Sequence, residues 1–339
     1  MKQMILLLVG GLIILLIGCE RGPISQTKSA MGTQVTISVY SWNELLNRMA
    51  METAIDEAFK EIYRVQRLAS WDRLKGLNDL AGYDEYDIGD ELTQMINEAY
   101  DISEDTHGAF RPDIGPLVKL WGFEKDTIHI PEEPELDSVL TLINRTQFTI
   151  LGYGLAYLEP VGASLDLSGY AKGYAVDKAC EVLRKSGATS GIVEAGGDLR
   201  CFGVKPDGKP WRIAVRHPRK LEEFYTVLSL DSGAVATSGD YEQCVIVNDF
   251  RYHHIFDPET GFPARKSISA TVVTSTCAQA DGFATGMFVL GPENGVTIAN
   301  SLQLDVLIIA EQGEKLIDAR SDKFARLEVV PATDRNHSF

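Results

Sequence analysis

The chain has 339 residues, 45% of them hydrophobic, enough to bury one large core or two smaller ones. It carries 48 acidic against 32 basic residues, a formal charge of −16 at pH 7, and has no basic cluster with interleaved aromatics. That balance excludes a nucleic-acid binder, because such a surface repels the phosphate backbone.

Lys2 precedes the apolar run Met4–Ile17, which is too short to span a bilayer of ~30 Å. A basic start, an apolar middle and a small-residue end describe a secretory signal. Its end, Leu16-Ile17-Gly18-Cys19, resembles the bacterial lipobox, in which the cysteine is lipidated and becomes the mature N-terminus. The expectation is a lipoprotein signal over 1–18, a polar tether over 19–29, a folded domain over 30–330 and a polar tail over 331–339. Acyl chains on Cys19 would anchor an otherwise soluble protein at a membrane. Cys180, Cys201, Cys244 and Cys277 follow at irregular spacing with no C-x-x-C, which excludes zinc and thioredoxin-like sites. They suit buried free thiols or a single bridge.

Along the chain, Ala30–Tyr40 alternates (Val35, Ile37, Val39) and reads as a strand. Asn43–Ser70 carries the stripe Leu46, Met49, Ala50, Ala54, Ala58, Ile62, Val65, Leu68 of a long amphipathic helix. Glu91–Asp105 is a second helix, ended by His107-Gly108. Gly115–Phe123 reads as an apolar turn and Asp126–Asp137 as an exposed connector before a helix over Leu136–Ile143. From Phe148 onward the texture becomes short strands separated by Gly, Asp and Pro: 148–151, 156–159, 163–167, 191–195, 199–203, 211–215, 224–230, 234–237, 243–247, 253–256, 268–274 and 305–310. Helices return at Lys172–Ser186, Ala278–Leu290 and Pro292–Leu302. Helices followed by a strand-rich body predict an α+β fold, and the lack of βαβαβ repetition argues against a doubly wound nucleotide fold.

Asp166–Asp177, D-L-S-G-Y-A-K-G-Y-A-V-D, is the most informative stretch. It reads as an alternating strand that breaks at Gly169 and restarts as a helix with Ala175, Val176, Cys180, Val182 and Leu183 at helical spacing. Two readings fit: an ordinary tight turn with a solvated lysine, or a glycine junction that aims a helix N-terminus and the Lys172 ammonium at phosphate. Gly196-Gly197-Asp198 follows an apolar strand but leads into another strand, which excludes a Rossmann fingerprint and leaves a β-turn or a ligand loop. His253 and His254 are adjacent on an expected strand, so only one can face a site. With six histidines in the chain, candidates for a general base near neutral pH are few. Asp281 and Thr285 are four apart and share a helical face. They could be oxygen ligands for a hard cation such as magnesium, or a dipole-complementing Asp and a Thr bonded back to its own helix.

Taken in order, Ala30-Met31-Gly32-Thr33, Gly108-Ala109-Phe110 with Gly115–Phe123, Asp166–Asp177, Glu194–Asp198, Thr237–Tyr241, His254–Gly261 and Ala280–Thr285 resemble the ApbE family of flavin transferases. The likeness runs from about Ala30 to Ala310. It implies an ApbE-like mixed architecture, with N-terminal helices packed on a strand-rich body. It also implies magnesium-dependent transfer of FMN from FAD to a Thr or Ser hydroxyl of an exported or membrane flavoprotein, with release of AMP.

On matching positions it further implies that Met31 and Trp71 pack on the flavin or adenine rings, and that Ala109, Phe110 and Arg111 line FAD. Asp166 would hydrogen-bond the cofactor, Lys172 would approach its phosphates, and Phe256 would contact it. The Gly169 carbonyl, Asp281 and Thr285 would hold Mg2+, and His254 would deprotonate the acceptor. Family members are often lipoproteins, which implies attachment to the inner or outer membrane of a bacterial envelope, facing the periplasm or exterior. Two positions depart from the family pattern. Arg111-Pro112-Asp113 replaces a common Asp-Pro-Thr run, so the arginine could contact the diphosphate directly or weaken the usual backbone arrangement. Ala284 stands where some relatives place a second Asp. Hydrolysis of FAD to FMN and AMP, or simple flavin binding and scavenging, are the rival activities.

Overall fold

The computed structural model of the chain describes residues 22–40, 46–70, 73–123, 128–220, 222–313 and 315–330. The expected signal, Cys19, Trp71 and the expected polar tail lie outside them.

In chain order the elements are β1 (Ile24–Ala30), β2 (Thr33–Tyr40), α1 (Leu46–Ser70), α2 (Arg73–Asp79), β3 (Tyr86–Asp87), α3 (Gly89–Asp105), α4 (Gly115–Trp121) and α5 (Glu133–Arg145). There follow β4 (Gln147–Gly152), β5 (Leu155–Glu159), α6 (Ser168–Lys185), β6 (Ser190–Ala195), β7 (Asp198–Phe202), β8 (Trp211–Arg216), β9 (Phe224–Leu230), β10 (Gly233–Gly239), β11 (Cys244–Val247) and β12 (Phe250–His253). The chain closes with β13 (Ser269–Thr274), α7 (Cys277–Ser301), β14 (Asp305–Gln312), β15 (Lys315–Arg320), a 3-10 turn (Phe324–Leu327) and β16 (Glu328–Val330). The class is α+β, as the alternation of patterns predicts.

Eight strands form one antiparallel sheet in the order β1-β2-β6-β7-β10-β13-β14-β15. Its two faces are covered differently. On one face α6 packs on β6 and β7 and α1 on β1, while Ala234, Ala236, Ala270, Val272, Val306 and Ile308 of β10, β13 and β14 meet α7. Their neighbours Val235, Val273, Leu307 and Ile309 meet Trp211, Ile213 and Leu228 of the small sheet β16-β9-β8. Burial on both faces is why β13 and β14 read as continuous apolar runs without strict alternation. A third cluster, Leu117, Trp121, Leu136, Ile143 and Phe256, lies under α4 and α5.

Several elements differ from expectation. Residues 24–29, inside the expected tether, form strand β1, which pairs with β2 from Ile24↔Val39 to Ala30↔Thr33. Met31 (φ 53°) and Gly32 (φ 74°) make the two-residue left-handed turn between them. The sequence 163–167 alternates in burial but joins no sheet, and the helix starts earlier, at Ser168, so Gly169 lies in its first turn and is not a break. Gly115–Trp121 is a short helix with Pro at its start, not a turn. Strand β12 ends at His253, which leaves His254 beyond it. The two helices expected over 278–302 are present: α7 is two helices that meet at Gly291, whose backbone (φ 82°, ψ 177°) is not helical.

Helices α6 and α7 run antiparallel and touch at glycine distance. A Cβ built on Gly173 would lie 2.2 Å from the Cys277 carbonyl oxygen, so no larger residue fits without moving backbone. Gly173→Ala should therefore force the helices apart and lower the unfolding free energy by about 1–3 kcal/mol, as overpacking does. Equilibrium denaturation measures it; a variant as stable as wild type would mean that the helices separate freely.

Candidate functional site

One end of the large sheet collects the turns. The β1–β2 turn at Met31-Gly32 sits beside the β6–β7 turn, since Val35 pairs with Ala195 and Ala195 with Asp198. The contact is close: a Cβ on Gly196 would lie 2.7 Å from Thr33 Oγ1. The end of β10 (Ser238, Gly239) and the start of β13 (Ser269) join the same edge, because Gly239 pairs with Ser269.

Onto this edge the α6–α7 seam brings charge. Lys172 Nζ donates to Asp198 Oδ2 and, at 3.3 Å, to Asp281 Oδ1. Asp281 is 4% exposed and its other oxygen accepts the Gly173 amide at 3.0 Å. By helical geometry that amide is also the i,i−4 partner of the Gly169 carbonyl, so Asp281 competes for the donor and leaves the carbonyl oxygen with accepting capacity. Asp198, 3% exposed, also accepts the Thr237 amide at 3.4 Å. Burial works against the Lys172 charge, but Asp198 and Asp281 outweigh it and hold the ammonium above the ordinary lysine range. Burial likewise pushes the Asp281 carboxyl upward, with Lys172 opposing it.

Thr285 lies one turn beyond Asp281. Its Oγ1 is 3.2 Å from Ser238 Oγ and donates to the Asp281 carbonyl at 3.4 Å, so the back-bond allowed by its spacing is present. A Cβ on Gly169 would meet Thr285 Oγ1 at 3.4 Å and Phe110 Cε2 at 3.2 Å. Gly169 is thus a close-packing residue between the Ala109-Phe110 loop and α7. That loop is fixed by Thr106, whose Oγ1 accepts the Phe110 amide at 3.1 Å and donates to the Ile102 carbonyl at 2.7 Å. Asp166 Oδ1 accepts the Ser168 amide at 2.7 Å, at the start of α6.

The two histidines part as their adjacency requires. His253 is buried, its Nε2 2.8 Å from the Ala264 carbonyl, and burial lowers its pKa to about 4. His254 is half-buried and lies in the field of both Lys172 and Asp166. Its Nδ1 is 3.4 Å from the Gln243 carbonyl. A proton held there leaves Nε2 as the basic nitrogen. Burial is the main cause that keeps this imidazole below the ordinary histidine range.

The structure thus gathers Gly169, Lys172, Asp281, Thr285, Asp166 and His254, with Ala109 and Phe110 bordering them and Met31 on the same sheet end. The Met31 amide is held by Gln66 Oε1 at 2.8 Å. Two expected residues are directed elsewhere. The Arg111 guanidinium is bidentate to buried Asp113, at 2.8 Å for both bonds, and also binds Asn144 Oδ1 and the Ile143 carbonyl. Its donors are engaged within the fold and not held open for a diphosphate. The Phe256 ring is enclosed by Trp121 and Phe123, with centroids at 5.7 and 5.8 Å, so it serves the third core cluster. Asp198 and Ser238, which carried no assigned role in the sequence, are part of the cluster; both sit inside motifs singled out above.

The profile of the ApbE family matches residues 31–308. An FAD:protein FMN transferase of Vibrio cholerae is 32% identical over 323 residues, spanning 92% of this chain and 95% of the relative. One from Escherichia coli K12 is 29% identical over 263 residues, 74% of each protein. Among solved structures, the ApbE protein of Thermotoga maritima superimposes with a TM-score of 0.82 at 32% identity, covering 90% of this chain and 99% of that one. The flavin transferase ApbE of Vibrio cholerae does so with 0.78 at 30%, covering 90% and 99%.

His253 generates a stability prediction. Its folded pKa is depressed from 6.5 to about 4, so the unfolded chain takes up a proton that the fold refuses. The cost is absent above pH 6.5 and grows as pH falls toward 4. Denaturation at pH 7 and at pH 4.5 should show a smaller pH loss for His253→Gln than for wild type; equal losses would remove His253 from the acid response.

Proposed function

The chain belongs to the ApbE family and is a flavin transferase, and on that premise we propose that it moves FMN from FAD to a Thr or Ser hydroxyl of a partner flavoprotein, releasing AMP, with magnesium as the cation. The observation that carries this reading is the meeting of Asp281, Thr285 and Gly169 on the α6–α7 seam, with Lys172 and His254 beside it.

The donors suit magnesium. Among the described residues no group of three or more His, Cys, Asp or Glu could hold a metal ion. A cation here would instead use the Asp281 carboxylate, the Thr285 hydroxyl and the Gly169 carbonyl, all hard oxygens. A chain of charge −16 needs such a cation to hold a diphosphate. When bound, magnesium would draw charge from the phosphate oxygens and stabilise the departing AMP.

This chain's own groups supply the rest. Lys172, kept in place by Asp198, would present its ammonium to the diphosphate. His254 would take the proton of the acceptor hydroxyl on Nε2 as its oxygen bonds to the FMN phosphorus and the bond from that phosphorus to the AMP oxygen breaks. Water in place of the hydroxyl would give FMN and AMP. In the same reading acylated Cys19 holds the domain at the cell envelope, facing the periplasm or exterior; among the described residues no helix is long and apolar enough to cross a membrane.

Mass spectrometry of a co-expressed acceptor tests the transfer: the mass of FMN is expected on one Thr or Ser, and an unmodified acceptor alongside free FMN would mark a hydrolase instead. His254→Ala should keep FAD binding and lose transfer by about 10²–10⁴-fold; an unchanged rate would sink the base assignment. Because the neutral imidazole is the working form and its pKa lies below 6.5, transfer should hold as pH falls to 6.5 and decline only below it. A pH–rate profile whose acidic limb begins well above that value would point to another base. Asp281→Asn should remove the magnesium dependence of FAD affinity, and calorimetry showing wild-type dependence would exclude Asp281 as a ligand.

A further inference from the structure

Helix α7 begins without a cap of its own. Thr276 makes no side-chain cap bond, and the first turn holds no acidic residue. Its leading amides are instead satisfied from the neighbouring helix: Cys277 N donates to Asp177 Oδ1 and Ala278 N to Asp177 Oδ2, both at 2.9 Å. Arg200 on β7 holds the same carboxylate, its Nη1 donating to Oδ1 at 2.7 Å. Asp177 is 6% exposed. One carboxylate therefore ties α6, α7 and β7 together.

The contacts between the two helices form a ladder spaced by one turn. Gly169 meets Thr285, Gly173 meets Asp281 and the Cys277 carbonyl, and Asp177 meets the Cys277 and Ala278 amides. The first two rungs contain the groups assigned to the cation. The third contains none of them, yet it is the only rung built from two ionic hydrogen bonds to helix-end amides and a guanidinium. A slip of α7 by one residue would move it ~1.5 Å along its axis and turn it by ~100°. Either change takes Asp281 off the Gly173 amide and Thr285 away from Gly169.

We infer that Asp177, held by Arg200, is a positioning residue: it sets the register of α7 on α6 and thereby places Asp281 and Thr285 opposite the Gly169 carbonyl. The inference rests on the reading of Asp281, Thr285 and Gly169 as cation ligands. Asp177 is not among the groups assigned to the cation or to FAD, and acts through the end of the helix that carries the ligands. Groups that orient metal ligands typically change metal affinity by about 10–100-fold when lost.

The test uses the folded chain with Asp177→Ala, Asp177→Asn, Asp281→Asn and Ala299→Gly. Ala299 is buried in the far half of α7, beyond the kink, and serves as a destabilised control away from the ladder. Calorimetry measures FAD binding over a magnesium series, and thermal melts run in parallel. Asp177→Ala should raise the magnesium concentration for half-maximal FAD binding at least about tenfold, while FAD affinity without magnesium stays near wild type. Asp177→Asn, which keeps one acceptor oxygen and the shape of the side chain, should fall between and remain measurable if the alanine variant does not fold. Ala299→Gly should lower the melting temperature with no change in magnesium dependence. A wild-type magnesium dependence in the Asp177 variants, or a shift no larger than that of Ala299→Gly, would overturn the positioning role. If Asp281→Asn itself keeps the magnesium dependence, the cation-site reading fails and the inference falls with it.

Discussion

The approach of α6 to α7 at Gly173 is the constraint on which the rest of the site depends. With 2.2 Å between a notional Cβ and the Cys277 carbonyl oxygen, the two backbones leave no room for a side chain at position 173. Only at that separation can the short side chain of Asp281 reach a backbone amide on the opposite helix and an oxygen of Thr285 approach Gly169. Close backbone contact is costly to leave loose, because the amides it buries need partners. Asp177 supplies them at one end and Asp281 at the other. Asp177 thus does the work that local capping would do in an isolated helix, Asp281 adds a second bond across the seam, and together they fix the axial register of the pair.

Charge follows from the same packing. Asp198 and Asp281 are buried almost completely, and a buried carboxylate without a partner is strongly unfavourable. Lys172 stands between them and offsets both. The group is therefore poised: it has one more negative charge than positive, and it lies at the open edge of a sheet among glycine turns. On the proposed reading a cation from solution would balance that excess, and a diphosphate would become acceptable only once the cation was there. Arg111 fits this logic by its absence. Paired bidentately with Asp113, it leaves the local field to Lys172.

Much of this was legible in the sequence, for reasons that can be named. The helical spacing of Ala175, Val176, Cys180 and Leu183 located α6, and all four residues are buried. The order of short motifs located the residues that meet at the sheet edge. What misled was local pattern without tertiary context. The alternation over 163–167 comes from an extended segment buried on one side, not from a sheet, and so Gly169 looked like a break between a strand and a helix. Glycine at 169 and 173 signals close packing rather than flexibility, and neither has a positive φ. Phe256 and Arg111 lay in the expected motifs, but their orientations depend on Trp121, Phe123 and Asp113, partners that no spacing rule connects to them.

The two adjacent histidines show how one backbone step separates structure from chemistry. Both are depressed in pKa by burial, but their surroundings differ. His253 ends β12 inside the core, with Nε2 committed to the Ala264 carbonyl and Nδ1 approached by the Ile255 amide. Both of its nitrogens are occupied, so a proton added at Nδ1 must displace the Ile255 amide. His254 has left the strand, carries a weak bond on Nδ1, and lies in the field of Lys172 and Asp166. Lys172 disfavours its protonated form and Asp166 favours it, so a proton taken up there is neither trapped nor forbidden. The end of β12 places this histidine: its amide donates to the Gln243 carbonyl at 3.2 Å and its Nδ1 lies 3.4 Å from the same oxygen. The early end of β12 is therefore as much a part of the candidate base as the imidazole itself.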